Sequence, residues 1–370
     1  MQIWKRDDQG RIMWFRMRMP IEGHFHARDK SSGILQITVP TLSEEFHAAV
    51  FMPNLDPPIT TIEDARNYRK DIMEFSRTNF IPLMTMYLTD EINSSEVAAA
   101  LIRKDIMGVK FYPPGLTTNS DRGVKDVSAL WTRLTEPYRV LWQLANKGGI
   151  FFIHAAAGVD ANGIELDPYD QEPYFIENIL PRIRDAHPTL QISIEHLSTI
   201  TGVEYMRKHG GEFLGCSMTV HHSTLDRRDL FRRGYNTHVG WMPILQSSEH
   251  RKELHEFMTE GHDFVWLGTD SAAHPKRDKE AGCCKSGVLM THALERYAKL
   301  FDSLGRLDER FERFSSTNFA KYIGIDPSNK MVELVRKPWQ PAHRYVAMGT
   351  EGPDDIVSFD EGGTLSWQRV

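Results

Sequence analysis

Short apolar runs of seven to nine residues recur along most of the chain, separated by stretches whose apolar positions follow a helical period. The runs are MPIEGHFHA (19–27), AAVFMPN (48–54), IPLMTMYL (81–88), IMGVKFY (106–112), GIFFIHA (149–155), LQISIEHL (190–197), FLGCSMTV (213–220) and DFVWLGTD (263–270). Several intervening stretches carry boundary signals. Thr60 opens a capping box completed by Glu63 ahead of a helix over 62–76. Gly148 and Gly149 follow a helix over 134–147, and Gly210 and Gly211 one over 199–209, where a left-handed residue closes the last turn. Two further helices fit 287–303 and 306–322. Eight strands, each followed by room for a helix, predict an α/β fold of the (β/α)8 TIM-barrel type over residues 19–335. A doubly wound open sheet is the competitor, but the first strand is followed by H-F-H-A-R-D and not by a glycine-rich phosphate turn.

The ends read differently. Residues 2–18 (IWKRDD-QG-RIMWFRM) and 355–369 (DIVSFDE-GG-TLSWQ) each predict a hairpin about a glycine-containing turn. The expected organisation is an N-terminal hairpin over 1–18, the barrel, and a C-terminal extension over 336–370 with its own hairpin. The two ends are expected to pack together beside the barrel.

Composition narrows the field. With 41% hydrophobic and 25% charged residues, the 370-residue chain can bury a large core. Its formal charge of −6 offers no cationic field for nucleic acid or a membrane surface, so an anionic ligand needs a local cationic site. Cys216, Cys283 and Cys284 are too few for a disulfide framework, which points to reduced thiols in a cytoplasmic protein. The N-terminal MQIWKRDDQGRIMWFRMRMP lacks the apolar core of a signal peptide, and no run is long enough to span a membrane.

The chemistry lies at the strand ends. His24 and His26 end the first strand, Lys110 sits in the fourth, His154 ends the fifth, His196 the sixth and Asp270 the eighth. In a parallel barrel those ends open on one face, where such folds build active sites. The period-2 spacing of His24-Phe25-His26 turns both imidazoles the same way. Singly, each residue has a plain reading: a satisfied core histidine, or an aspartate capping a turn. Lys110 does not, because a lysine inside apolar IMGVKFY needs an anionic neighbour or a chemical change. Together the six residues point to a metal site.

The ordered segments H-F-H-A-R-D, M-P-N-L-D-P-P, K-F-Y-P-P-G-L-T-T-N-S, E-H-L-S-T and G-T-D-S-A-A-H, with His154, resemble the motifs of dihydroorotase, of the compact bacterial type, in the amidohydrolase superfamily. The likeness runs from about residue 20 to about 335. It implies two Zn2+ ions bridged by Lys110 carboxylated on its side-chain nitrogen, one held by His24, His26 and Asp270, the other by His154 and His196. It implies hydrolysis of (S)-dihydroorotate to N-carbamoyl-L-aspartate, reversibly, by a hydroxide activated between the metals, with Asp270 as general base and acid. Substrate contacts are expected from His26, Arg28, Asn54, His154, His274 and the backbone at Met242, with Thr117 and Thr118 on a loop that closes over the site. Arg28 suits a carboxylate, although alone it reads equally as a surface ion pair. A static polar loop around Thr117 is equally compatible with the sequence. The resemblance further implies a homodimer acting on a small molecule in pyrimidine synthesis.

Departures from the pattern are the A-G-C-C-K-S-G run, a residue short where a contact is expected between Cys283 and Lys285, the H-A-A-A-G-V-D after the fifth strand, and a longer N-terminal extension. Two other classes remain: a hydantoinase- or allantoinase-like cyclic amidase that need not keep Arg28 and Asn54, and a non-catalytic scaffold, which would have lost ligands that are all present here.

Overall fold

The computed structural model describes residues 3–232, 234–281, 285–349, 352–360 and 363–370. A parallel sheet is built from β3 (Ile21–His26), β4 (Ala48–Phe51), β5 (Ile81–Tyr87), β6 (Gly108–Phe111), β7 (Ile150–Ile153), β8 (Gln191–Ile194), β9 (Leu214–Met218) and β10 (Val265–Leu267), with each strand paired to the next. The chain turns after β10 into β11 (Ser271–Ala272), which pairs in parallel with β3 and closes the sheet into an eight-stranded barrel. Nearly every strand residue is buried, as expected for strands covered on both faces. Trp266 fills the lower barrel. Its ring lies where a Cβ on Gly215 would meet it at 2.0 Å, so only glycine fits on that part of the neighbouring β9. Phe319 and Tyr322 close that end against Trp266, with ring centroids 5.0 and 4.5 Å away. Cys216 is a buried free thiol on β9, while Cys283 and Cys284 lie outside the described residues.

Helix boundaries shift from their expected places for local reasons. The first capping box is Thr61 with Asp64, one residue later than Thr60 with Glu63, and the helix runs Ile62–Phe75. Gly148 closes Glu136–Lys147 in the left-handed conformation (φ 70°), whereas Gly210 leaves Ile200–His209 in an extended one (φ −63°). The penultimate helix begins only at Ala293, because residues 288 and 289 make β-bridges.

The ends build a second sheet. β1 (Trp4–Arg6) pairs with β2 (Ile12–Arg18), β2 with β12 (Met331–Trp339), and β12 with β15 (Leu365–Arg369), all antiparallel. The C-terminal hairpin expected over 355–369 does not form. β14 (Gly352–Val357) pairs back on β13 (Arg344–Gly349), and β15 goes to β12. The expected boundary at 335/336 also falls inside β12. A Gly-Gly step between two alternating runs looks like a turn, but β15 finds more to bury elsewhere: Trp367 is fully buried, 5.2 Å from the Phe15 ring and 4.6 Å from the Arg336 guanidinium.

Trp367→Ala should therefore cost about 3–5 kcal/mol in denaturant unfolding, the range for deleting a large buried aromatic. A loss below about 1 kcal/mol would mean that the terminal sheet unfolds separately from the barrel.

Candidate metal-dependent active site

The barrel mouth brings together the six ionisable residues. His24 and His26 project from β3 and Lys110 from β6; His154 and His196 follow β7 and β8, and Asp270 occupies the turn between β10 and β11. His24 Nε2 and His26 Nε2 are 3.2 Å apart, and each is 3.3 Å from Asp270 Oδ1. Opposite them, His154 Nδ1 lies 3.1 Å from His196 Nε2. Lys110 is 0% exposed, and its Nζ has no hydrogen-bond partner and lies 5.2 Å from the Tyr112 ring centroid.

Three donor atoms at mutual distances of 3.2–3.3 Å leave a point roughly 1.9 Å from each, close to the 2.0–2.2 Å bonds of zinc to nitrogen and oxygen. Among the described residues, His24, His26 and Asp270 are the one group of three histidine, cysteine or acidic side chains clustered this way. The donor set thus fits a divalent ion. The unpartnered Lys110 and the close His154–His196 pair fit a second charged group between the two halves.

Electrostatics favour the neutral form for three of the four rings. Burial drops His154 and His196 well below the usual histidine range, and takes His26 to about 4 against the pull of Asp270. Burial and Lys110 would lower His24 too, but Glu195 and Asp270 outweigh them and raise it. Asp270 is held well below the carboxylate range: burial raises it, and bonds from His24 and His26 outweigh that. Burial brings Lys110 down to about 8, with Glu195 and Asp270 opposing.

Three acidic residues outside the predicted set hold this arrangement. Glu195 Oε2 bonds His24 Nδ1 and accepts from Ser217 Oγ (3.0 Å), while its Oε1 accepts from Ser193. A carboxylate on the far nitrogen fixes the tautomer and ring plane of a metal-type histidine. Glu22 Oε1 accepts from His24 N (2.9 Å) and Thr269 N (2.7 Å), and burial pushes its carboxyl up to about 7. Glu172 takes the Ser198 amide and the Ser198 and Thr199 hydroxyls, clamping the turn after His196. Arg28, His196 and Asp270 sit at positive φ (67°, 43° and 49°), which a surrounding network must sustain.

Two residues beyond His26, Arg28 would share its strand face if β3 continued, but β3 stops at His26 and the chain turns at Arg28. Its side chain still reaches the site. Nε donates to Ala273 O and Nη2 to Ala272 O, both at 3.0 Å, and Nη2 lies 2.7 Å from His274 Nε2. An arginine only donates, so that His274 nitrogen must accept. Burial and the cations around it hold His274 well below the histidine range. Asn54 donates to Thr118 O (3.0 Å) and accepts from Tyr112 Oη (3.0 Å). A cavity of about 30 Å³ is lined by the four histidines, Asp270, Arg28, Asn54, Thr117, Thr118 and Met242. His274 faces the larger space just outside it, and the contact expected between Cys283 and Lys285 falls partly outside the described residues.

No protein-family model matches the chain. It is 36% identical over 353 residues to a dihydroorotase of Hahella chejuensis, covering 94% of this chain and 96% of that one. Dihydroorotase from Campylobacter jejuni superposes with a TM-score of 0.82 at 27% identity, over 96% of both chains. The Saccharomyces cerevisiae dihydroorotase solved with 5-fluoroorotic acid superposes with a TM-score of 0.86, covering 97% of this chain and 98% of that chain; at 23% identity it bears on the fold alone.

If the His24/His26/Asp270 group holds a divalent ion, Glu195→Gln should weaken its binding by about 10–100-fold in a chelator competition, the usual effect of losing the partner that orients a metal-type histidine. Wild-type affinity in the folded variant would remove Glu195 from that role.

Proposed function

The chain belongs to the dihydroorotase family, and on that premise we propose that it hydrolyses (S)-dihydroorotate reversibly to N-carbamoyl-L-aspartate. The observation that carries this reading is a conjunction within one cavity. Three metal-type donors converge at 3.2–3.3 Å beside a buried arginine already paired with His274. A cyclic amide that also bears a carboxylate matches both halves.

In this proposal His24, His26 and Asp270 would hold one zinc ion and His154 and His196 the other, with Lys110 carboxylated at Nζ as a ligand available to both. The lowered Lys110 pKa supports the last point, because CO2 adds to the neutral amine. The bound ions would supply Lewis-acid polarisation of the ring carbonyl and a lowered pKa for the attacking water.

The chain's own groups do the rest. Asp270 Oδ1 faces His24 and His26, so Oδ2 takes the proton from the attacking water. As the C–N bond breaks, Oδ2 returns that proton to the leaving ring nitrogen. Arg28 keeps Nη1 outside its contacts with the carbonyls and His274, and Asn54 has a second N–H beyond the one given to Thr118. Both remain for the substrate carboxylate. His26 and His154, the Met242 backbone and His274 complete the proposed contacts, while Thr117 and Thr118 cover the site and exclude water. Thr118 Oγ1 lies 3.4 Å from Ser286 O, which supports a segment able to bridge the mouth.

A cytoplasmic homodimer belongs to the same proposal. No helix among the described residues is long and apolar enough to cross a membrane.

Purified protein should turn over dihydroorotate in preference to hydantoin and allantoin, and carry two zinc equivalents. Arg28→Met should weaken dihydroorotate use by roughly 2–4 kcal/mol in kcat/KM without changing zinc content, as for loss of a buried charged partner. Wild-type kinetics in that variant would favour a cyclic amide without a carboxylate.

Asp270→Asn keeps the shape and an oxygen that can coordinate, but an amide cannot accept the proton. Turnover should fall by at least about 10²-fold in a folded, largely metal-loaded enzyme. More than about a tenth of wild-type turnover with full metal would show that the proton travels by another group.

A further inference from the structure

The C-terminal segment does not only complete the terminal sheet. Between β12 and β15 it rises to the barrel mouth, where the β13–β14 hairpin sits on the two loops that carry Arg28 and His274. Ala347 and Ile356 of the hairpin form a small buried cluster with Ile34, Ala273 and Leu289, separate from the main core. Ala273 is the residue whose carbonyl accepts from Arg28 Nε, and it immediately precedes His274. The loop after β3 is pressed in the same way. A Cβ on Gly349 would meet Ser32 O at 2.8 Å, and one on Gly33 would meet the Met348 carbonyl carbon at 2.5 Å, so backbone lies directly on backbone.

Two further contacts fix the hairpin on either side. Arg277 Nε, in the short helix after His274, is 2.8 Å from Asp354 Oδ2. Beyond β14, Phe359 N donates to Leu289 O (2.9 Å) and Phe359 O accepts from buried Arg296 (3.0 Å). A space of about 420 Å³ outside the active cavity is bounded by Arg28 and His274 on one side and by Gly349 and Asp354 on the other.

The metal-type residues are held by strand ends, but Arg28 and His274 lie on loops. Arg28 also adopts a positive φ of 67°, a conformation that persists only when its surroundings over-determine it. The hairpin supplies part of those surroundings.

We propose that the β13–β14 hairpin is a positioning element that presets the Arg28–His274 clamp and thereby sets the preference for cyclic amides bearing a carboxylate. The inference rests on the functional reading above and adds an element that lies outside the metal-type donor set. Loosening the hairpin should weaken capture of the carboxylate and leave the chemical step alone.

Two variants test it from opposite directions. Gly349→Ala wedges the hairpin away from Ser32, and Ile356→Ala removes its apolar seat on Ala273. For each, KM and kcat are measured with dihydroorotate, together with inhibition by orotate, a ring carboxylate, and by uracil, the same ring without one. KM and the orotate inhibition constant should rise together by about fivefold or more, with kcat within about twofold and uracil inhibition unchanged, the pattern for lost uniform binding. Zinc content and the main thermal transition should stay near wild type. Unchanged KM and orotate inhibition in a folded variant would overturn the proposal, as would a fall in kcat at constant KM. Should Ile356→Ala fail to fold, Gly349→Ala decides alone. A wild-type enzyme inactive on dihydroorotate would instead bring down the functional reading, and this inference with it.

Discussion

The site depends on how the barrel closes. β3 carries His24 and His26, Asp270 follows β10, and these two strands meet at the seam where first and last strands join. Direct ladder pairing there is limited to Ser271 and Ala272 of β11 against Phe25 and His26. The Glu22 carboxylate bridges the rest of the gap, taking the amides of His24 and Thr269, while the Asp270 amide donates to His24 O at 3.0 Å. These bonds bracket the two residues whose side chains converge. A slip of one residue in either strand would turn its donors to the other face of the sheet. The 3.3 Å approach of Asp270 to both imidazoles is therefore a consequence of the seam's register.

That seam sustains an arrangement costly in isolation. His24, His26, His154, His196 and His274, Lys110, Arg28 and the acids Glu22, Glu172 and Glu195 lie buried at one barrel end beside the half-buried Asp270, and Arg28, His196 and Asp270 adopt positive φ. Burial resolves much of the conflict by favouring neutral forms: it lowers His26, His154 and His196 below the histidine range and pushes Lys110 toward its neutral amine. Glu195 and Asp270 stay close to His24, whose ring is the one biased toward its proton. What remains is a set of lone pairs converging near two carboxylates, which a cation stabilises and an apolar ligand does not. A scaffold reading would leave this arrangement without a function to balance its cost.

The barrel was legible because interior parallel strands are unbroken apolar runs, and their polar final residues stand out against them. Lys110 stands out as a charge inside such a run. The same logic applied to Glu22 in M-P-I-E-G-H and Glu195 in I-S-I-E-H would have found the two carboxylates that hold His24, one on its amide and one on its ring. They were hidden by proximity, since each stands within two residues of a histidine that already explained the motif. The capping register was ambiguous because Thr60 and Thr61 are adjacent and both Glu63 and Asp64 can reach back. Pairing of the C-terminal strands was not legible at all. Strand alternation tells which face of β15 is apolar, but not that β12, some thirty residues upstream, offers Phe15 and Arg336 as neighbours for Trp367 through the sheet they share.

The parts found by periodicity and the parts missed by it have different mechanical roles. Donors that must meet at bonding distance are set on strand ends, whose positions follow from a ladder of hydrogen bonds. The residues proposed to recognise the carboxylate, Arg28, Asn54 and His274, lie beyond strand ends, where no ladder dictates position. Loops need other supports, and here those are local: the carbonyls of Ala272 and Ala273 for Arg28, the Tyr112 hydroxyl for Asn54, and the hairpin behind Ala273. Such supports can change without disturbing the metal-type donors. Under the proposed reading, such a barrel keeps one hydrolytic centre while its choice of ring substituent is tuned by segments as distant in sequence as residues 344–357.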